Sequence, residues 1–302
     1  MSKPKVIAIV GPTASGKSAL GIFLAQKING EIISADSRQV YKGLDIGTGK
    51  VTKKEMAGVP HHLLDVASPK KVFTADDFVK LGEKATQLIL QKNKVPIIVG
   101  GTGLYVDALL GRMSIPSVPP NPKLRTQLEK KTPATLLKML QRLDPKRARN
   151  IEQQNPRRLV RAIEIAKAIG KTPPKKVVEK YDVLWLGISP AEATLKKNIN
   201  TRLLSRMKAG MLSEAKRLHK EGLSYKRMDQ LGLEYRSLAK LLQKKVTEKE
   251  MLVELEQAIQ KYAKRQMRWF KRNQEIHWIK NPGRAGKTEA LRLAKKFVSG
   301  HK

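Results

Sequence analysis

The sequence predicts an α/β fold in which a parallel sheet is flanked by helices and carries an all-helical insertion domain. In the first third of the chain, short apolar runs alternate with helical patterns, as expected when helices join parallel strands. A proline-rich stretch at 115–122 then ends this alternation, and amphipathic helices follow before the next apolar run. The core is therefore expected to comprise 1–114 and 179–302, and the insertion 115–178.

The first third of the chain is expected to contain three strands. They are predicted at Lys5 to Val10, Glu31 to Ser34 and Val95 to Val99, each a short apolar run. A helix is expected to begin after Thr74, because its hydroxyl can cap the N–H of Asp77. A strand–helix alternation of this kind buries both faces of a sheet.

The remaining elements follow from periodicity and from helix-breaking residues. In the insertion, helices are expected at Pro122 to Lys131, Pro133 to Leu143 and Pro156 to Ile169, with a second breaker at 170–174. After it we expect, in order, a strand at Asp182 to Ile188, helices beginning near Ala191, Ser213, Asp229 and Thr247, a short strand at Glu275 to Ile279, and a last helix.

Charge is the strongest feature of the composition. The 302 residues include 61 Lys and Arg against 26 Asp and Glu, a formal net charge of +35. Such a chain attracts polyanions, and its basic residues cluster on predicted helices from Lys123 onward. This favours RNA or DNA contact with the later part of the chain, although a lysine-rich surface that only maintains solubility is the alternative.

Several classes of protein are not expected. No apolar run is long enough to span a membrane, and the chain enters its first strand without a signal peptide. We therefore expect a cytoplasmic protein. Cysteine is absent, so there is no disulfide, no thiolate zinc site and no cysteine nucleophile.

A phosphate-binding loop follows the first strand. It reads Gly11-Pro12-Thr13-Ala14-Ser15-Gly16-Lys17-Ser18, which matches the pattern G-x-x-x-x-G-K-S. The glycines let backbone N–H groups turn inward, the lysine adds a point charge, and the last serine can hold Mg²⁺. The sheet is therefore predicted to be P-loop NTPase-like. The pattern does not say whether the bound phosphate is transferred, hydrolysed or released.

Two other expected strand ends carry candidate residues. In open α/β sheets, reactive groups lie beyond the carboxyl ends of the strands. Ala35-Asp36-Ser37-Arg38-Gln39 and Gly100-Gly101-Thr102 lie at such ends. Asp36 could hold Mg²⁺ through water or act as a general base, and capping of the next turn is the structural alternative.

Four motifs occur in order along the chain: the phosphate loop, Ile33 to Thr48, Gly100 to Tyr105, and Tyr262 to Gln266 with Trp269-Phe270. In this combination the chain resembles the bacterial tRNA dimethylallyltransferases. The resemblance implies transfer of a dimethylallyl group from dimethylallyl diphosphate to N6 of adenosine 37, in tRNAs that read codons beginning with U. It also implies Mg²⁺ as cofactor, the anticodon stem-loop with adenosines at 36 to 38 as partner, and an adenine flipped into a channel. We expect a monomer.

The resemblance also implies roles for individual residues. The phosphate loop, 11–18, would bind the diphosphate leaving group, with Mg²⁺ on Ser18. The residues expected to be catalytic are Asp36, as the base for the adenine amine, together with Thr13, Lys17 and Arg202 at the diphosphate. The residues expected to contact tRNA are Asp36, Ser37, Arg38, Gln39, Thr102, Arg125, Arg157, Arg158, Leu159, Val160, Arg161, Gly232, Tyr235, Arg236, Lys264, Arg265, Gln266 and Arg268.

Two positions depart from the family's pattern. Asn198 stands where members commonly carry the first of two arginines four residues apart, of which Arg202 is the second. Lys197 is a candidate replacement, although lysine lacks the forked geometry of arginine. Leu233-Glu234 stands where other members have isoleucine or valine followed by glycine.

Three other functions are open at this point. A P-loop kinase acting on a nucleotide or nucleic acid would bind ATP and transfer its γ-phosphate. An isopentenyltransferase acting on free adenine nucleotides would not need the late basic helices. A non-catalytic RNA-binding protein would not need Asp36 beside a complete phosphate loop.

Overall fold

The computed structural model describes residues 3–170, 179–280 and 283–300. The chain forms two compact units, Met1–Leu110 with Glu179–Lys302, and Gly111–Val178. The sequence predicts these boundaries after residues 114 and 178. The second breaker that it predicts lies, beyond Gly170, outside the described residues.

The first unit contains a six-stranded sheet. Its strands are β1 Lys5–Val10, β2 Gly30–Ser34, β3 His61–His62, β4 Val95–Gly100, β5 Asp182–Ile188 and β6 His277–Ile279. They pair in the order β3-β2-β4-β1-β5-β6, and every pair is parallel. The predicted parallel sheet is confirmed. The sequence does not predict β3, because two residues are too short to show a period of two.

Helices flank the sheet in the first unit, and a separate set of helices forms the second unit, Gly111–Val178. In chain order the described residues form α1 Lys17–Lys27, α2 Lys53–Met56, α3 Ala75–Gln91, α4 Gly103–Leu109, α5 Pro122–Leu128, α6 Pro133–Leu143, α7 Pro145–Arg149, α8 Pro156–Ile169, α9 Glu192–Lys208, α10 Met211–Lys220, α11 Tyr225–Gln230, α12 Leu233–Leu242, α13 Glu248–Phe270 and α14 Arg284–Ser299. None of these helices is both long and apolar enough to cross a membrane.

Helix ends follow local chemistry. The hydroxyl of Thr74 accepts the N–H of Asp77, whose carboxylate in turn accepts the N–H of Thr74, so the predicted cap of α3 is confirmed. The helix expected near Asp229 is wrong in its start. Gly232, with φ of 125°, separates α11 from α12, so two shorter helices occupy that region.

Strand β1 explains how the sheet is buried on both faces. Val6, Ala8 and Val10 belong to a cluster that includes residues of α3 and α4. Ile7 and Ile9 belong to another cluster, with residues of α1 and α14. Alternate residues thus face opposite layers, and the carboxyl ends of the strands meet at one edge of the sheet.

The second unit has its own core. Leucine and isoleucine side chains of α6 and α8 pack there, including Leu136, Leu140 and Ile163. Glu164, only 2% exposed, accepts hydrogen bonds from Arg125 and Arg161 and from the N–H of Asn121. The side chain that secures α5 against α8 is therefore a buried carboxylate.

Candidate active site

The phosphate loop lies between β1 and α1. Gly11, with φ of 149°, passes so close to β5 that a Cβ there would lie 2.7 Å from the carbonyl oxygen of Ile188. Gly16 begins α1 in the left-handed region, and no side chain caps that helix end. The first turn of α1 also contains no acidic residue. The N-terminal N–H groups of α1 and its dipole therefore favour a bound anion.

Gln266 of α13 holds this loop in place. Its Oε1 accepts the N–H of Thr13 at 2.8 Å, and its Nε2 donates to the carbonyl of Gly101 at 2.9 Å. One buried amide thus ties the loop after β1 to the turn after β4. The sequence assigns Gln266 to tRNA contact, but the structure uses both polar atoms of its side chain inside the protein. We assign it a positioning role.

Cations crowd beside the loop. Lys17 donates to the carbonyl of Pro12 at 2.9 Å, and burial together with the charge of Arg202 lowers the pKa of Lys17 to about 8. Burial and the neighbouring Arg206 lower the pKa of Arg202 to about 10. Each shift means that burial and the neighbouring positive charge outweigh the attraction of nearby carboxylates such as Asp36. A bound polyphosphate would supply further negative charge.

Asp36 follows β2 and lines the same pocket as Lys17 and Arg202. Its Oδ1 accepts the N–H groups of Arg38 at 2.8 Å and Gln39 at 3.4 Å, so it does cap the next turn. Among the described residues no hydrogen bond uses Oδ2, which leaves that oxygen for a substrate. Thr102 holds the same segment, since its hydroxyl accepts the N–H of Ser37 at 3.1 Å. Capping and acid–base chemistry are therefore compatible at Asp36.

A cavity of about 280 Å³ brings most of the predicted site together. The predicted residues that line it are Thr13, Lys17, Ser18, Asp36, Ser37, Arg38, Gln39, Arg202, Gly232, Arg236, Arg265 and Gln266. Lining residues that the sequence does not single out as site residues include Thr48, Arg206, Glu234 and Tyr262. Arg206 could have been found, because it lies one helical turn after Arg202 on α9.

Tyr235 does not line the pocket and is 1% exposed. Its hydroxyl donates to Glu214 at 2.6 Å. The same carboxylate accepts the N–H groups of Asp45, Ile46 and Gly47 at 2.8 to 2.9 Å. The predicted tRNA residue Tyr235 is thus part of a buried brace for the 45–47 loop. No local pattern identifies Glu214, because its partners lie far away in the sequence.

The basic residues of α13 lie on two faces. Arg265 lines the pocket, with its guanidinium 5.6 Å from the ring centre of Tyr262. Lys264 and Arg268 line a second pocket instead, where Lys264 pairs with Glu192 at 3.3 Å. Helical spacing separates these positions, so α13 does not direct all its charges to one site.

In the second unit, the residues predicted to contact tRNA divide by burial. Leu159 and Val160 pack in the core of that unit, so their side chains are closed to RNA. Arg125 and Arg161, each about one-third exposed, pair with Glu164. Two further arginines, Arg157 and Arg158, are exposed, and within the described part of the chain only the second has an ion pair, with Glu152 at 3.3 Å. The exposed arginines remain the predicted RNA contacts.

Asn198 and Glu234, which depart from the family's pattern, each make a polar contact within the protein. Asn198 donates from its amide to the carbonyl of Ala14 at 3.2 Å and so supports the phosphate loop, in which Ala14 has a positive φ of 59°. Lys197 is exposed and does not line the pocket. Glu234 pairs instead with Arg206, 3.4 Å away.

The residues present fit a magnesium ion held together with a phosphate ligand. In the described ranges, no three His, Asp or Glu side chains lie together as a metal site of their own. Magnesium usually keeps several waters and binds through few protein oxygens plus substrate phosphates. Ser18, which lines the pocket at the start of α1, offers such an oxygen. The buried hydroxyl of Ser15 has no hydrogen-bond partner in the described chain, so the loop still has polar capacity.

The parallel sheet, the phosphate-loop motif and the carboxylate that lines the same pocket define an α/β protein of the P-loop class with a candidate base. The chain belongs to the IPP transferase family, whose model matches residues 39–273.

Relatives and solved structures agree with this membership. The chain is 38% identical over 280 residues to the tRNA dimethylallyltransferase of Anoxybacillus flavithermus, covering 91% of this chain and 90% of the relative. The tRNA isopentenylpyrophosphate transferase structure from Bacillus halodurans superposes with a TM-score of 0.76 at 33% identity, covering 99% and 98%. A eukaryotic dimethylallyltransferase acting on tRNA gives a TM-score of 0.83 at 25% identity, covering 99% and 80%.

Proposed function

We propose that this chain transfers a dimethylallyl group from dimethylallyl diphosphate to N6 of adenosine 37 in tRNA, and releases diphosphate. The observation that carries the proposal is one pocket that residues of the phosphate loop, Arg202 and Asp36 line together. Membership of the IPP transferase family supports it. A kinase would need a γ-phosphate acceptor in this place, and nothing observed favours one over a prenyl transfer.

In the proposed reaction, the phosphate loop binds a leaving group. The bond between the allylic carbon and the diphosphate oxygen breaks, and a bond from adenine N6 to that carbon forms. The electron pair stays on the diphosphate, so Lys17, Arg202 and the loop N–H groups stabilise charge that increases as the bond breaks. Thr13, whose N–H is fixed by Gln266, lies at the bridging oxygen in this proposal.

Asp36 is the proposed acceptor of the proton that the reaction releases. As N6 attacks, its amine becomes positively charged and must lose one proton, which the carboxylate accepts. Oδ1 is already bonded to the N–H groups of Arg38 and Gln39, so we assign the proton to Oδ2. Magnesium, held by Ser18 and the diphosphate, would supply additional positive charge at the leaving group.

The target adenine must leave its stacked position in the RNA to enter the pocket. A stacked adenine cannot reach a pocket inside the protein, so the proposal includes a base flipped out of the anticodon loop. Gly232, Arg236 and the 37–39 segment line the cavity and would contact the flipped nucleotide. The +35 net charge supports binding of the phosphate backbone. A monomeric, cytoplasmic enzyme remains our expectation.

One assay tests the reaction. Purified protein, Mg²⁺ and labelled dimethylallyl diphosphate are mixed with unmodified tRNA that has adenosines at 36 to 38. Label is expected on the RNA and is expected to disappear when adenosine 37 is replaced by guanosine. Absence of label, together with transfer from labelled ATP, would overturn the proposal in favour of a kinase. Label on free AMP but not on tRNA would indicate the free-nucleotide enzyme.

The base assignment has its own prediction. Asp36→Asn keeps the Oδ1 acceptor and hence the turn, but it removes the basic carboxylate. Transfer is expected to slow by at least about a hundredfold, while tRNA affinity stays within about threefold. Single-turnover transfer and filter binding measure the two quantities. Asp182→Asn, on an exposed position of β5, is the matched control. Equal turnover of Asp36→Asn and the control would remove Asp36 from this role.

A further inference from the structure

Arg206 is a positively charged residue of the pocket to which the proposed reaction assigns no role. Its side chain is 13% exposed, and it lies one turn beyond Arg202 on α9. Both of its hydrogen bonds among the described residues start from Nη1, to the carbonyl of Gly47 and to Glu234, each at 3.4 Å. Charge-assisted hydrogen bonds are normally much shorter, at about 2.7–2.9 Å. The guanidinium is therefore held loosely, and most of its donors are available to a ligand.

The two guanidinium groups converge over one glycine. A Cβ built at Gly49 would lie 2.0 Å from Nη2 of Arg206 and 2.7 Å from Nη2 of Arg202. The two nitrogens are therefore no farther apart than the sum of these distances. Two positive groups this close repel each other unless an anion lies between them or beside them. Only glycine leaves the space in which they meet.

The charges form a series along the pocket. The charge of Arg202 lowers the pKa of Lys17, and the charge of Arg206 lowers the pKa of Arg202, so neighbouring members of the series repel each other. Such a series suits a ligand longer than one phosphate group. Glu234 is the single carboxylate paired with these three cations among the described residues. It therefore offsets part of their repulsion when no ligand is bound.

We propose that Arg206 is a further binding residue for the diphosphate group, and that Glu234 is its counter-ion in the empty pocket. The inference rests on the proposed function for the identity of the ligand. Diphosphate would draw the guanidinium of Arg206 away from Glu234. The Gly47 carbonyl, a second acceptor for the same nitrogen, keeps the arginine at the pocket wall. Glu234 competes with the ligand for Arg206 and so favours release of the diphosphate product.

Opposite effects of two substitutions test this. With inorganic diphosphate as the probe, Arg206→Met is expected to weaken binding by about tenfold or more, the usual scale for a hydrogen bond to a charged group. The loss should be smaller with inorganic phosphate, which is too short to span the series. Glu234→Gln is expected to tighten diphosphate binding by about threefold or more, because a negative charge leaves an anion site. Calorimetry measures these affinities for the wild type and for both variants.

An exposed ion pair on α10 provides matched controls. Arg217 and Glu221 lie 2.9 Å apart and are each about half exposed, so Arg217→Met and Glu221→Gln should leave diphosphate affinity within twofold. If Arg206→Met binds diphosphate as these controls do, the arginine is not a binding residue. If both pocket substitutions weaken binding, the pair is a structural brace and the counter-ion role is wrong.

The proposed function can fail separately. These affinities need neither tRNA nor transfer, so a wild-type protein without transferase activity would overturn the function and leave the Arg206 result interpretable. Measuring tRNA affinity of Arg206→Met completes the design, and it is expected to stay within twofold. A loss of tRNA affinity with unchanged diphosphate affinity would make Arg206 an RNA contact and overturn the inference.

Discussion

Gln266 offers the sharpest test of how the phosphate loop is held. The substitution Gln266→Leu keeps the approximate size of the side chain but removes the acceptor for the N–H of Thr13 and the donor to the carbonyl of Gly101. Gln266→Glu retains the first bond and loses the second. It also places a carboxylate beside the loop that binds the anion.

The magnitude follows from the burial of this amide, which is 6% exposed. Each backbone group left without a partner costs about 1–3 kcal/mol, so the loss of two partners in Gln266→Leu is expected to destabilise the first unit by about 2–6 kcal/mol. For a unit of this size that corresponds to a fall in Tm of about 4 °C or more. Affinity for inorganic diphosphate should fall by about tenfold with leucine, as the loop loses its fixed geometry. It should fall further with glutamate, because of the added charge.

Thermal unfolding and calorimetry with inorganic diphosphate measure these effects. The matched control is Gln260→Leu on the same helix, where the amide Nε2 bonds only to Glu256 in the described chain. That variant should unfold within about 2 °C of the wild type and bind diphosphate equally well. If Gln266→Leu behaves like Gln260→Leu in both measurements, the reasoning that Gln266 fixes the loop is refuted.

Three further predictions concern charge. The affinity of the protein for diphosphate should fall as the pH rises through about 8, because Lys17, with its lowered pKa, loses its positive charge in that range. Lys17→Arg should remove this dependence, which calorimetry between about pH 7 and 9.5 measures. Glu164→Gln leaves Arg125 and Arg161 without their buried anion and should destabilise the second unit by about 3 kcal/mol. Hydrogen exchange that is unchanged in residues 111–170 would contradict this destabilisation. Finally, tRNA affinity should fall at least about a hundredfold between about 50 and 200 mM salt, and a flat response would mean that the +35 charge does not mediate RNA binding.

Local patterns predicted the parts of the fold that are locally determined. Strand β1 and helices α6 and α8 have the predicted bounds, because apolar periodicity and proline at the first helical turn define them. Helix α7 escaped prediction because its five residues contain no apolar repeat. Strand β6 is shorter than predicted, since it starts at His277, and its position at the edge of the sheet depends on β5.

The same distinction applies to the site. The phosphate loop is recognisable because its eight residues are contiguous and each has a local mechanical role. Asp36 could be placed by its position at a strand end. Glu214 and the pairing of Glu234 with Arg206 could not be placed in this way, because they depend on contacts between distant segments, whereas helical spacing alone could have indicated Arg206. Asn198, which the family comparison marks as a missing arginine, has a role that only the contact with Ala14 reveals.

The dependence of the site on Glu214 and Gln266 has a consequence for synthesis of the chain. The 45–47 loop is completed by a carboxylate that emerges from the ribosome well over a hundred residues later, and the phosphate loop by an amide later still. N-terminal segments can begin to fold during translation, but here the first motifs to be made are among the last to be completed. A nascent chain that has not yet reached α13 therefore carries every residue of its phosphate loop without the contacts that fix that loop. The contacts that fix the phosphate loop therefore form only after α13 has been synthesised.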